Sequence, residues 1–272
     1  MPRQCARRAV TAGHRMTSRF LQILRNRAKR EVVYSRPEFW DGKAVDYRDS
    51  AVSMFPNRHL NGLLERDQFA FMDAALPDVA GAHVLDVGAG TGRLSRHLAG
   101  RGARVTSFDF APAVVEIARA LNQGLPIETS VMSVFELEAD AAYDHATVLG
   151  CLTTACRDRA AFHEVARRLH RALRPGARVA MVEPFHLGFL HRVLALSPGD
   201  VVVELRAAGF ALENQAHFHF WPARLLLSPV EWPAFVTRPA YGAGEAVLRL
   251  LGAPAALGDY TGLALRRLDQ PA

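Results

Sequence analysis

Val84-Leu85-Asp86-Val87-Gly88-Ala89-Gly90-Thr91-Gly92 is a short aliphatic run that ends in an acidic residue and passes directly into a turn with glycine at every second position. A buried parallel strand requires such a run, and the glycines let the backbone turn sharply where side chains would block a ligand. The segment from Thr91 to Leu98 is read as a helix whose first amides point back at whatever rests on the turn. A second run, Val105-Thr106-Ser107-Phe108-Asp109, repeats the pattern of an apolar strand closing on an acid. Asp109 lies 21 residues after Gly88, the spacing at which a carboxylate meets a ribose. The dinucleotide fingerprint places glycine where Arg93 stands, which argues against a nicotinamide-dependent oxidoreductase.

Two later stretches continue the rhythm. Ala142-Tyr143-Asp144-His145-Ala146-Thr147-Val148-Leu149 reads as another strand, and Leu173-Arg174-Pro175-Gly176-Ala177-Arg178-Val179-Ala180-Met181-Val182-Glu183 as a helix end, a Pro-Gly turn and a further strand. Together with Asp86-Val87-Gly88-Ala89-Gly90-Thr91-Gly92, these segments resemble the class I S-adenosylmethionine-dependent methyltransferases over residues 80–268. The resemblance implies an α/β fold: a three-layer, doubly wound, mostly parallel sheet with a final antiparallel strand, an N-terminal helical extension and an inserted, lid-like segment before the last strand. It also implies S-adenosylmethionine as cofactor. Asp86 is then expected at the methionine end, with Gly88, Ala89, Gly90 and Gly92 giving close backbone approach. Asp109 is expected on the ribose hydroxyls and Phe110 against the adenine. Ser133 stands where the family often has an acid near the exocyclic amine, Gly150 passes the sulfonium, and Tyr47 belongs to an N-terminal segment that folds over the cofactor in relatives.

Composition bounds the remaining possibilities. The chain has 272 residues, 50% of them apolar, enough for one large domain with appended elements. It contains no apolar run of the ~18 residues that would span a bilayer. Three cysteines, Cys5, Cys151 and Cys156, provide no even framework, which fits a reducing, cytoplasmic setting. The formal charge of +6 is uneven. Residues 1–30 carry nine basic side chains and no acid, leaving 24 basic against 27 acidic residues in the rest. The body therefore offers no field to attract phosphates, and no nucleic-acid partner is expected. The basic leader reads as a flexible tail, as a peripheral membrane contact through Phe20, Leu21 and Leu24, or as a targeting segment. Met16 is an alternative start.

Along the chain, residues 1–30 form the leader, 31–80 a helical cap segment and 81–272 the cofactor-binding domain with an insertion at about 221–258. Asn57 is placed to cap a helix running to about Leu76. Phe39 to Pro56 reads as aromatic and irregular. Strands are expected at 83–87, 104–109, 127–131, 143–149 and 177–183, with helices at 91–99, 111–122, 158–173 and 200–208 between and after them. A strand from Phe210 to Phe220 and a last one around Asp259 to Arg266 complete the sheet.

Methyl transfer from a sulfonium asks the protein mainly for alignment. The acid-base candidates cluster in Glu183-Pro184-Phe185-His186 with His191 close behind. His186 is the candidate catalytic base because an imidazole titrates near working pH. A site built from Glu183, His186 and His217 or His219 has no recognised ligand spacing, so no metal is expected. Cys151 reads as a small packing residue rather than a nucleophile. Tyr47, Met54, Phe55, Phe218, Phe220, Trp221 and Trp232 suggest an aromatic-lined pocket for a small-molecule acceptor such as a quinone precursor, lipid or secondary metabolite. The alternatives are a protein or nucleic-acid substrate, and a methyltransferase-like binding protein without activity. Leu149-Gly150-Cys151-Leu152 occupies the place of the Asn-Pro-Pro-Tyr motif carried by base-methylating relatives, which argues against a nucleic-acid base.

Overall fold

The computed structural model describes residues 29–47 and 55–269; the leader to residue 28 and Met54 lie outside this set. Seven strands form one sheet in the order β3-β2-β1-β4-β5-β7-β6. They span His83–Val87 (β1), Arg104–Asp109 (β2), Ile127–Val131 (β3), Tyr143–Leu149 (β4), Leu173–Glu183 (β5), Phe210–Phe220 (β6) and Gly258–Arg267 (β7). The first five pair in parallel, whereas β7 runs antiparallel between β5 and β6. All the parallel strands therefore present their carboxyl ends on one edge, and the order reverses at β1, where a crevice opens between outgoing connections.

Helices cover both faces, and the strand sequences show why. Successive residues of a strand point to opposite faces, and here both faces are apolar. Leu85, Val179 and Met181 join one core with Phe162, Leu169 and Phe210, while Val84, Ala180 and Val182 join a second with Met72, Leu76 and Leu98. The first core lies under the helices Arg159–Ala172 and Pro198–Ala207, and the second under Arg58–Ala75 and Arg93–Gly100. Asp158 starts the helix Arg159–Ala172 as an N-cap, its carboxylate accepting the Ala161 amide at 2.8 Å. Asn57 does the same for Arg58–Ala75, in keeping with the preference of short polar side chains for that position.

Three departures from the sequence expectation are local. Pro37–Tyr47 is a helix rather than irregular chain. Pro37 opens it, a position that needs no amide donor, and Phe39 and Trp40 pack edge to face at 5.1 Å over Tyr34. The fifth strand begins at Leu173 and carries the Pro-Gly turn as a register shift. The insertion holds two helices, Trp221–Leu227 and Ala234–Leu250, which are fastened to Arg58–Ala75. Asn57 Nδ2 donates to the Leu227 carbonyl and to Thr237 Oγ1, both at 3.1 Å, and the Tyr241 hydroxyl donates to Asp67 at 2.6 Å.

Candidate active site

The tips of β1 and β2 are tied together through the glycine-rich turn. The Ala89 amide donates to the Phe108 carbonyl at 2.9 Å. Asp109 accepts from the Gly90 amide at 3.0 Å on one oxygen and from the Ala111 amide at 3.1 Å on the other. Each oxygen keeps a further lone pair for a ligand hydroxyl. Burial raises the pKa of Asp109, while these amides hold it back. Gly88 has φ +64°, and a Cβ there would sit 2.4 Å from Cys151 Cβ. Gly92, at φ +79°, ends the turn and starts the next helix, and a Cβ on it would press on the Asn122 amide. Glycine at these two positions follows from geometry.

A cavity of about 460 Å³ opens over these tips. Asp86, Gly88, Ala89 and Gly90 line it from β1, Asp109 and Phe110 from β2, Ser133 from the end of β3 and Gly150 from the end of β4. Eight of the ten residues expected at the cofactor are thereby brought together. Gly92 lies behind the turn rather than on the wall. Tyr47 is the last residue of its helix, and its side chain lies outside the described set.

Asp86 is 1% exposed and accepts from Ser95 Oγ at 2.6 Å and Thr147 Oγ1 at 2.9 Å. Burial pushes its pKa up to about 6 against the pull of those hydroxyls. The Ser133 side chain accepts from the Phe135 amide, and Glu136 turns back to the Ser133 amide at 2.8 Å. Both side chains thus cap a short helical turn.

The expected acid-base cluster separates into distinct roles. Glu183 is fully buried and accepts from the amides of Cys151, Leu152 and Thr153 at 2.6, 2.8 and 3.2 Å and from Thr153 Oγ1 at 2.8 Å. It anchors the Gly150–Thr153 turn and has no acceptor capacity facing the cavity. His186 is not on the cavity wall. It is 7% exposed, with Nε2 2.9 Å from the Asp259 carbonyl, beside the buried Arg224–Asp259 ion pair of 2.6 Å. His191 bonds to the Gly188 carbonyl, and His217 faces Thr261. Glu183, His186, His217 and His219 do not converge. The group that does, among the described residues, is Asp67, His219 and Glu245, with the Tyr241 hydroxyl hydrogen-bonded to both Asp67 and His219.

The aromatic pocket expected from the late segment is corrected as well. Phe218 packs on Phe71 at 5.9 Å, Phe55 lies under Arg224, and the indoles of Trp221 and Trp232 donate to local carbonyls. Phe220 lies against Gly244 and Ala223 belongs to the same contact. None of the four late aromatics is on the cavity wall. β6 is the outermost strand, so its carboxyl end lies at the edge of the sheet farthest from the crevice at β1. The aromatic wall comes instead from Tyr34, Trp40, Phe110, Phe135 and Tyr260. Gln68 and Arg93 were also missed and line it too. Arg93, which departs from the dinucleotide pattern, pairs with Glu65 and lies over the Phe69 ring. A sequence signal for Gln68 existed: it occupies the apolar stripe of an amphipathic helix, one turn from Leu64 and one from Met72, and all three are buried.

Gly88→Ala is expected to destabilise the protein by about 2–4 kcal/mol, because overpacking and a left-handed non-glycine residue add. Cys151→Gly in that background should recover the steric part only, as thermal melts of the two variants would show.

The comparisons agree with this geometry. A family model described as a methyltransferase domain matches residues 84–176. A ubiquinone biosynthesis O-methyltransferase of Xanthomonas axonopodis pv. citri is 30% identical over 189 residues, covering 59% of this chain and 77% of that protein. Among solved structures, an S-adenosylmethionine-dependent methyltransferase from Mesorhizobium loti aligns with TM-score 0.56 at 16% identity over 74% of this chain and 97% of its own. A 1,6-didemethyltoxoflavin-N1-methyltransferase of Burkholderia thailandensis, bound to its substrate and S-adenosylhomocysteine, aligns with TM-score 0.51 at 22% identity, covering 75% and 78%. A seven-stranded sheet reversing at a glycine-rich turn, with an acid on the neighbouring strand tip, defines a nucleotide-binding fold. The chain belongs to the class I S-adenosylmethionine-dependent methyltransferases and is an enzyme of that kind. None of its described helices is long and apolar enough to cross a membrane.

Proposed function

We propose that this methyltransferase modifies a small, largely apolar acceptor at oxygen, of the phenol or quinone-precursor kind. The observation that carries the reading is the cavity itself: about 460 Å³, continuous from the β1 and β2 tips to a wall containing Tyr34, Trp40 and Tyr260. The likeness to ubiquinone biosynthesis O-methyltransferases supports oxygen as the accepting atom.

The residues present fit the cofactor. Thr91 Oγ1 is buried on the cavity wall without a hydrogen-bond partner, and a Cβ would fill the backbone cradle at Gly88. When bound, S-adenosylmethionine supplies a methyl group on a sulfonium leaving group. In this reading Asp109 receives the ribose hydroxyls, Phe110 and Ser133 flank the adenine, and Gly88, Ala89 and Gly90 allow close approach. Gly92 shapes the turn, Gly150 borders the methyl, and Asp86 faces the methionine end. Tyr47 retains the role of an N-terminal cover. Glu183 acts as a positioning residue by holding the Gly150 turn.

Calorimetry followed by an assay tests the proposal. The full chain is expected to bind S-adenosylmethionine at micromolar concentrations and to convert hexylcatechol to its monomethyl ether. Binding without methylation of any phenol, alongside methylation of an amine panel, would move the acceptor atom from oxygen to nitrogen.

A further inference from the structure

Two largely buried polar side chains on the cavity wall make no side-chain hydrogen bond among the described residues. Gln68 is 2% exposed and Tyr260 is 6% exposed; both line the cavity, and neither the Gln68 carboxamide nor the Tyr260 hydroxyl hydrogen-bonds to any described residue. Neither side chain has an atom sealed away from the cavity without a partner, so both polar ends open onto the cavity and are free to bond what enters it. The carboxamide offers one acceptor and two donors, and the phenol offers a donor.

Their position in the fold indicates what that partner is. The nucleotide sits over β2 and β1 in the reading above, with Gly150 of β4 beside the methyl. Tyr260 is at the start of β7, which lies three strands from β1 in the order β1-β4-β5-β7. At about 4.8 Å per strand that is roughly 14 Å across the sheet, on the far side of Gly150 from the ribose-binding acid. Gln68 reaches the same cavity from the helix Arg58–Ala75, which packs on β5 and β7. Tyr260 thus stands beyond the point where the methyl is delivered in that reading, and Gln68 faces the same cavity from the helix over β5 and β7.

We propose that Gln68 and Tyr260 together bind the oxygen-bearing head of the acceptor, making with it the hydrogen bonds that neither makes within the protein. This rests on the phenolic acceptor of the preceding section and assigns the residues that recognise it. The apolar remainder of the acceptor lies against Tyr34 and Trp40, which carry no charge. Burial raises the pKa of Tyr260, so its hydroxyl stays a donor through the neutral range.

Calorimetric titration of hexylcatechol into protein saturated with S-adenosylhomocysteine tests the assignment in the wild type, Gln68→Leu and Tyr260→Phe. Each substitution is expected to weaken hexylcatechol about tenfold, to leave S-adenosylhomocysteine affinity within twofold, and to leave the melting temperature of the free protein unchanged, because neither polar group bonds to the described residues of the folded protein. Weaker S-adenosylhomocysteine binding would overturn the proposal by placing the pair at the methionine tail. Unchanged hexylcatechol affinity, or a lowered melting temperature with binding intact, would overturn it in favour of a structural role. Failure of the wild type to bind hexylcatechol while binding S-adenosylhomocysteine would instead sink the phenolic acceptor class, and this pairing with it.

Discussion

Glu183→Ala is expected to lower the stability of the folded chain by about 3–5 kcal/mol, since several buried donors at about 1–3 kcal/mol each lose their acceptor and water offsets part of the loss. Three backbone amides and the Thr153 hydroxyl converge on this one carboxylate. All four are donors, an arrangement that suits an anion with no proton of its own to place. Burial raises its pKa and the four donors oppose that rise. Alanine would leave the amides of Cys151, Leu152 and Thr153 without a partner at the start of a short helix. Each such group costs about 1–3 kcal/mol, reduced where water enters the space left behind. For a chain of this size 1 kcal/mol moves the melting temperature by about 2–4 °C, so a drop of roughly 6–20 °C should be seen by calorimetry. Glu183→Gln should fall between the two, since one oxygen is kept and the new amino group faces donors. A melting temperature within 2 °C of wild type, on the size scaling above, would refute the anchoring role.

Asp109→Ala is expected to weaken S-adenosylmethionine by at least about 100-fold, equivalent to about 2.7 kcal/mol or more. In the proposed role, its carboxylate loses two charge-assisted bonds to ribose hydroxyls, each contributing about 1.5–3 kcal/mol. The variant also frees the Gly90 and Ala111 amides that Asp109 now holds, so the turn relaxes and close backbone approach suffers further. Asp109→Asn keeps the shape and one acceptor oxygen and should lose about tenfold. Direct titration of the cofactor measures both. An affinity for Asp109→Ala within threefold of wild type would show that the acid serves the turn and not the ribose.

The sheet was legible in the sequence because its determinants are local. An aliphatic pentapeptide, a glycine every second residue and an acid at fixed spacing each follow from contacts within about 25 residues, and periodicity reports these directly. The bounds of β1, β2, β3, β4 and β6 coincide with the expected strands. Asp86, Asp109 and Gly150 reach a common cavity for the same reason. The acceptor side was not legible. Glu183 reads in sequence as a member of an acid-base cluster because nothing near it shows that the amides it serves lie some 30 positions earlier. His186 looked free because its partner, the Asp259 carbonyl, lies 73 residues later. The late aromatics follow β6 to the edge of the sheet, where Phe218 packs on Phe71, Phe220 lies against Gly244, and the indoles of Trp221 and Trp232 donate to the Ala256 and Leu226 carbonyls. Only Gln68 carried a local mark, a carboxamide in an apolar stripe, and its meaning required the cavity.

The direction of β7 also has a practical side. A strand parallel to its neighbours would deliver the residues after it to the rim that carries the cavity, but β7 begins there at Gly258 and leaves it, reaching Arg267 on the opposite rim. Ten residues at about 3.4 Å each separate the two rims by roughly 30 Å. A fluorophore or tether placed at Arg267 would therefore stand clear of the cavity mouth, a position suited to immobilising the enzyme for turnover measurements.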